Sequence, residues 1–165
     1  SGLKIFQLRL QLDANNISKK NIEELYKESK RNNSILIFNG SASDIEQYAI
    51  DGIHLKSKEL LKYDSRPISE DYILGASCHN EAELKQANKL CVDYAFISPV
   101  FVTKSHPQKN PLGWSNFHQL AEQANFPVYA LGGMSIADLK KAKENGAYGV
   151  AMISNIKDLL LLERI

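Results

Sequence analysis

The sequence predicts an α/β domain built on a parallel sheet. Seven apolar runs of strand length recur along the 165 residues. They are nearly continuous in apolar character, as strands covered on both faces are, rather than alternating. Amphipathic helical segments with short connections lie between most of them, the signature of repeated strand–helix units. Seven such units suit either a doubly wound sheet or an eight-stranded barrel lacking one unit.

The first run, LKIFQLRL (3–10), alternates Phe6, Leu8 and Leu10 with Gln7 and Arg9, and Gln11 continues the phase. Period two puts these three polar residues on one face. In a barrel that face points inward; at a sheet edge it is a solvated face. SKKNIEELYKESKRN (18–32) follows as a helix with Ile22, Leu25 and Tyr26 on one side. ILIFN (35–39) runs into the turn Asn39-Gly40-Ser41. DGIHL (51–55) contains His54, read as a core histidine with its hydrogen bonds satisfied. YILGAS (72–77) closes on Ser77 and Cys78, with His79 next. Cys78 reads as a small packing residue, because no Cys–His signature accompanies it.

NEAELKQANKLC (80–91) is the next amphipathic helix, and YAFIS (94–98) the fifth strand. The loop SPVFVTKSHPQKNPLGW (98–114) then carries Thr103, Lys104, Ser105, His106 and Lys109 before Trp114 starts another helix. Loops of this length within a domain are uncommon and many are functional. PVYALG (127–132) is the sixth strand. SIADLKKAKENG (135–146) is a helix with Ser135 as N-cap, Asp138 at N3 and Gly146 just past its end. YGVAMIS (148–154) is the seventh strand.

Composition describes one domain with room for a core: 44% hydrophobic, 24% charged, 20 basic against 19 acidic residues. A net charge of +1 excludes a global basic field for nucleic acid or anionic lipid. No apolar run approaches a membrane span, and SGLKIFQLRL lacks the features of a signal peptide. Two cysteines give neither a disulfide framework nor metal spacing. The expectation is a cytoplasmic protein that binds any anion through local geometry.

In both α/β architectures the site gathers at the carboxyl ends of the strands. LGGMS (131–135) and MISN (152–155) sit there, each before a helical stretch. Glycine pairs let backbone amides approach a ligand, and helix N-termini attract anions. The loop after the fifth strand adds hydroxyls, an imidazole and two lysines that could clamp a phosphate or diphosphate.

QLR (7–9), GIHL (52–55), GASCH (75–79), SPVFVT (98–103), LGG (131–133) and GVAMIS (149–154) stand in an order and spacing that resembles the thiamine-phosphate synthase family. ASCHNEAEL, TKSHP, PLGW and PVYALGG are similar to a branch fused behind Nudix hydrolase domains in bacteria. The resemblance implies a TIM (β/α)8-type barrel, incomplete at its N-terminus because the first strand–helix unit is missing. It makes residues 1–165 one barrel domain and the C-terminal part of a longer chain with an upstream Nudix domain. The open strand edges favour a homodimer.

The resemblance also implies an activity. The family couples a hydroxymethylpyrimidine diphosphate to a thiazole phosphate and releases diphosphate, with Mg2+ on the diphosphate. Carried over by position, Gln7 and Arg9 fall on the diphosphate-binding strand and Asn39 at the pyrimidine diphosphate site. Ser77 matches a pyrimidine contact, and Thr103 and Ser105 match hydroxyls of the loop after the fifth strand. Gly132, Gly133, Ile153 and Ser154 match the thiazole phosphate cradle. His106 stands where the family has a loop lysine. The lysine two residues after the arginine is Gln11, and the metal aspartates are replaced by Gly40 and Glu59, so Mg2+ is in doubt. Two other readings follow: a non-catalytic module that binds such phosphates and regulates a Nudix enzyme, and a thiazole tautomerase. Pro99 replaces the histidine that relatives with the latter activity carry.

Overall fold

The structure is a computed structural model that describes residues 4–10, 18–103 and 110–153. Seven parallel strands lie in the order β1 to β7, each hydrogen-bonded to its sequence neighbours. They are β1 (Ile5–Leu8), β2 (Ile35–Phe38), β3 (Gly52–Leu55), β4 (Ile73–Cys78), β5 (Tyr94–Ile97), β6 (Val128–Leu131) and β7 (Gly149–Ala151). A doubly wound sheet reverses its strand order part-way; this one never does. It is a barrel wall with one side open between β1 and β7.

The helices are α1 (Lys19–Arg31), α2 (Asp44–Gln47), α3 (Ser57–Leu60), α4 (Glu81–Lys89), α5 (Gly113–Ala121) and α6 (Leu139–Glu144), with a 3₁₀ turn at Ile136–Asp138. Ser18 caps α1 by accepting the Asn21 N–H, and Asn80 caps α4 by accepting that of Glu83. Ser135 and Asp138 form the reciprocal capping box that their spacing predicts. Gly146 follows α6 at φ 88°, the left-handed position that favours glycine. On α1, Ile22 is buried, but Leu25 is 46% exposed, so the expected three-residue apolar face is narrower than its sequence suggests.

Each strand sends one set of side chains outward to the helices and the other inward. The outward set forms the main core: Leu36, Phe38, Ile53, Leu55, Leu74, Ala76, Cys78, Ala95, Ile97, Val128 and Ala130. Cys78 lies in it, as its reading as a packing residue required, and burial pushes its thiol up to about 12. At the amino ends of the strands two aspartates serve the same purpose. Asp51 accepts Leu36 N–H of β2 at 2.8 Å and Lys30 Nζ at 2.5 Å. Asp93 accepts Leu74 N–H of β4 at 2.7 Å and Arg66 at 2.8 Å. Each carboxylate satisfies a strand amide that the parallel ladder leaves without a partner. Among the described residues no helix is long and apolar enough to cross a membrane.

Candidate active site

The inward face is polar and aromatic. His54 on β3 is fully buried, with Nδ1 3.1 Å from the Tyr94 hydroxyl of β5 and Nε2 2.8 Å from the Ser77 hydroxyl of β4. Burial alone lowers its pKa to about 3, because the charged form would lose its water. The imidazole is therefore neutral. Burial is also the main reason that the Tyr94 phenol is pushed up, and Gln7 of β1 hydrogen-bonds that phenol in the opposing sense. Gly75, the register partner of both His54 and Tyr94, makes this possible. A Cβ there would run into the Tyr94 ring and come within 2.5 Å of its hydroxyl.

Phe96 packs against His54 at 4.6 Å between ring centroids and edge-on to Tyr129 at 6.3 Å. Tyr129 stands edge-on to Tyr94 as well. Burial raises its phenol pKa first, and the neighbouring Tyr148 adds to that. The inner wall of β3, β5 and β6 is thus one aromatic surface, with a histidine and a serine set into it.

Other positions surround the mouth. Gln7 and Arg9 are both exposed, Gln7 reaching Tyr94 and Arg9 lying just past the end of β1. Asn39 follows β2, and its side-chain oxygen is buried without a hydrogen-bond partner among the described residues. His79 follows β4, with Nδ1 2.6 Å from the Ser98 carbonyl. A carbonyl only accepts, so Nδ1 carries the proton. Glu83 accepts the His79 N–H at 2.7 Å and the Ser57 hydroxyl at 2.6 Å, tying α3 to the β4 exit. Thr103 is half-buried beyond β5. Gln11, Lys104, Ser105, His106, Lys109 and Ser154 lie outside the described residues.

The glycine pair has a structural duty of its own. Gly132 and Gly133 adopt φ 99° and 71°. A Cβ on Gly132 would come 2.8 Å from Pro99, and one on Gly133 2.9 Å from the Phe101 Cβ. The exit of β5 is laced to this turn by Val100 N–H to Leu131 O at 2.9 Å and Phe101 N–H to Gly132 O at 3.1 Å. Asp138 already occupies the start of the following 3₁₀ turn, accepting the Ser135 N–H at 2.8 Å and hydroxyl at 2.7 Å. Ile153, past β7, is 66% exposed. Broad hollows of about 630 and 420 Å3 lie over the outer face of α1 and near the amino ends of β2 to β4. Neither includes the inward residues.

Of the two expected metal positions, Gly40 offers Mg2+ no ligand, and Glu59 is the one carboxylate. Gly40 has no side chain, and a Cβ there would meet the Asp44 carboxylate and come 2.8 Å from the Phe38 ring. Asp44 is itself engaged by Ser41, at 2.6 Å from N–H and 3.1 Å from the hydroxyl. Glu59 is held by Lys62 at 2.6 Å. Among the described residues no three His, Cys, Asp or Glu groups come together as a metal site.

Comparison with known proteins settles the ancestry of this arrangement. The family model described as thiamine monophosphate synthase matches residues 1–156. The chain belongs to that family. The protein assigned as thiamine-phosphate synthase 2 of Aquifex aeolicus (strain VF5) is 31% identical over 157 residues, covering 93% of this chain and 82% of its own length. A thiamine-phosphate synthase of Prochlorococcus marinus subsp. pastoris is 30% identical over 94% of this chain, which spans 44% of that relative's length. Among solved structures, thiamine phosphate pyrophosphorylase from Pyrococcus furiosus superposes with a TM-score of 0.71 at 22% identity, over 92% of this chain and 73% of the other. The YdjI aldolase from Escherichia coli K12 gives 0.70 at 10% identity, over 96% and 68%. Both likenesses concern the barrel fold alone.

Within the thiamine monophosphate synthase family frame, sequence reasoning missed the joint role of His54, Tyr94, Phe96 and Tyr129. The available signal was phase. His54 is two residues from Gly52 and Phe96 two from Tyr94, so period two puts each pair on one face.

Proposed function

We propose that this domain catalyses the coupling of hydroxymethylpyrimidine diphosphate to thiazole phosphate with release of diphosphate. The observation that carries the reading is the polar line Tyr94–His54–Ser77 set in the aromatic inner wall. Such a wall takes a flat heteroaromatic ring on its face and offers hydrogen bonds to its edge. The side-chain oxygen of Asn39, without a partner among the described residues, supplies a further acceptor at the exit of β2.

The chemistry asks little of the side chains as reagents. The bond between the pyrimidine methylene carbon and the diphosphate oxygen breaks, and the oxygen keeps the electron pair. The thiazole nitrogen lone pair forms the new bond to that carbon, giving the thiazolium product, and no protein nucleophile is consumed. This chain's task is to orient two rings and hold two anions. Gln7, Asn39 and Ser77 take the pyrimidine side, Arg9 the diphosphate, and Gly132, Gly133 and Ile153 the thiazole phosphate. Incubating the full-length protein with both precursors and following thiamine phosphate by mass spectrometry tests the reading. Absence of product at enzyme concentrations stoichiometric with substrate refutes it.

The second reading is a phosphate-ligand-binding module that regulates an attached Nudix domain. The engaged carboxylates of Asp44 and Glu59 favour it. Saturable binding of either precursor without turnover, together with a change in Nudix hydrolysis, is its expected signature.

A further inference from the structure

We infer that His79 is a positioning residue: by donating its Nδ1–H to the Ser98 carbonyl it fixes the exit of β5, and through that exit it fixes the Gly132–Gly133 turn after β6. The inference rests on the proposed function only for the ligand, thiazole phosphate, that reads out the turn.

Residues Ser98 to Phe101 are where four elements meet. The exit of β4 clasps Ser98 on two sides: Cys78 O accepts the Ser98 N–H at 3.1 Å, and His79 Nδ1 lies 2.6 Å from the Ser98 carbonyl. The start of α5 takes the next two carbonyls, Leu112 N–H donating to Pro99 O at 2.8 Å and Gly113 N–H to Val100 O at 3.0 Å. The exit of β6 takes the amides, Val100 N–H donating to Leu131 O at 2.9 Å and Phe101 N–H to Gly132 O at 3.1 Å. A Cβ on Gly132 would come 2.8 Å from Pro99, so the glycine turn lies directly against this segment. Packing that close transmits a displacement rather than absorbing it. A shift of Ser98 reaches the turn across two residues.

His79 is itself held in place. Glu83, buried in the first turn of α4, accepts the His79 N–H at 2.7 Å with one carboxylate oxygen and the Ser57 hydroxyl at 2.6 Å with the other. Asn80 accepts the Glu83 N–H at 2.9 Å. The cap of α4 thus fixes the His79 backbone, and the imidazole reaches from β4 across to β5. The bonds around Val100 and Phe101 join backbone groups and outlast any side-chain change. The bond from His79 is the link that a substitution removes, and its loss leaves the carbonyl of buried Ser98 short of a donor. The ring therefore acts through Ser98, with Nδ1 as the working atom. The residues proposed for the pyrimidine side, Gln7, Asn39 and Ser77, stand on or after β1, β2 and β4, on the other side of this link.

The test compares His79→Asn with His79→Gln in the full-length protein. Asparagine carries its amide nitrogen where the imidazole has Nδ1, whereas glutamine carries it one atom further out, near Nε2. Hydrogen exchange comes first and needs no ligand. The Val100 and Phe101 amides should exchange at least about tenfold faster in His79→Gln and near the wild-type rate in His79→Asn, because local opening follows the local bonds. The Asp51 and Tyr148 amides, bonded to Leu36 O and Val128 O at the amino ends of the strands, should stay unchanged in both. Unchanged exchange in His79→Gln overturns the inference, and so do equal gains in the two variants or gains at all four amides. Calorimetry with each precursor alone is the second arm. Thiazole phosphate should bind His79→Gln on the order of tenfold more weakly than wild type and His79→Asn within about threefold. Hydroxymethylpyrimidine diphosphate should bind all three proteins within about threefold. Recovery by glutamine but not asparagine would move the role to Nε2 and overturn the inference, as would equal losses for both ligands. If wild type takes up no thiazole phosphate while the exchange pattern is as expected, the proposed function fails and the positioning role of His79 stands.

Discussion

The carboxylate of Asp44 lies where a side chain on Gly40 would begin. Asp44 is in the first turn of α2, yet it turns back to accept both the N–H and the hydroxyl of Ser41. This explains why glycine follows Asn39: the space is taken, and by a group of the same charge as the aspartate that the family resemblance leads one to expect there. The turn as it stands leaves no room for a side chain at position 40.

Gly40→Asp should therefore not restore a metal site. It should destabilise the fold by about 1–3 kcal/mol through overpacking against Phe38 and Asp44, and Gly40→Asp with Asp44→Ser should recover part of that. Urea denaturation of the three proteins measures both effects. A Gly40→Asp protein as stable as wild type would show that the turn yields freely.

Metal dependence follows from the same turn. Calorimetric titration of diphosphate in Mg2+ and in EDTA should give affinities within about tenfold of each other, or roughly 1.4 kcal/mol. A larger gain with Mg2+, beyond that of phosphate-free buffer controls, would mean that ligand oxygens and the remaining carboxylates build a site together.

Stability should fall in acid because of His54. In the unfolded chain its pKa is the ordinary 6.5; in the fold it is about 3. Above pH 6.5 it is neutral in both states. Between pH 6.5 and about 3 the unfolded state binds a proton that the folded state refuses, so stability is lost as pH falls, by up to about 1.4 kcal/mol per unit. His54→Gln removes that proton and should flatten this part of the profile. Parallel slopes for the two proteins between pH 7 and 5 would place the acid sensitivity elsewhere.

The seven strands were legible because burial on both faces demands apolar runs, and YAFIS and ILIFN can satisfy little else. The choice between a doubly wound sheet and a barrel was legible only through the family resemblance, because strand order depends on which edges pair and no local pattern encodes it. The four-residue helices α2 and α3 were invisible: one turn is too short to show periodicity. At the site, Ser77 was legible through the family resemblance, whereas His54 reads as an ordinary core histidine in any apolar strand. That reading holds for its burial and its hydrogen bonds. The ring is buried and satisfied, but its partners come from β4 and β5, 23 and 40 residues away.

Asp93→Ala should cost about 1–3 kcal/mol, because it leaves the Leu74 N–H without its acceptor and takes from the Arg66 guanidinium its one carboxylate, although Arg66 keeps the Cys91 and Tyr72 carbonyls. The Arg66 Nε is already buried without a hydrogen bond among the described residues. Asp93→Asn, which keeps an oxygen for the amide, should cost less. Thermal melts at pH 7 rank the two, and equal losses would mean that the carboxylate charge, not the hydrogen bond to β4, is what matters.

Arg9→Ala should weaken diphosphate binding far more than thiazole phosphate binding. Arg9 stands one residue beyond Leu8, whose carbonyl accepts the Asn39 N–H at 2.9 Å, so it projects from the mouth end of β1 beside the β2 exit. It is exposed and makes no ion pair among the described residues. Its removal should therefore leave stability within about 0.5 kcal/mol. A charge-assisted bond to diphosphate lost there should cost about 1.5–3 kcal/mol, roughly 10- to 150-fold in Kd. The turn at Gly132–Gly133 follows β6, on the other side of the wall from β1, and thiazole phosphate bound there should not notice the change. Calorimetry with each ligand alone separates the two. Equal small losses on both would make Arg9 a solvated edge charge, and would remove the diphosphate from this end of the barrel.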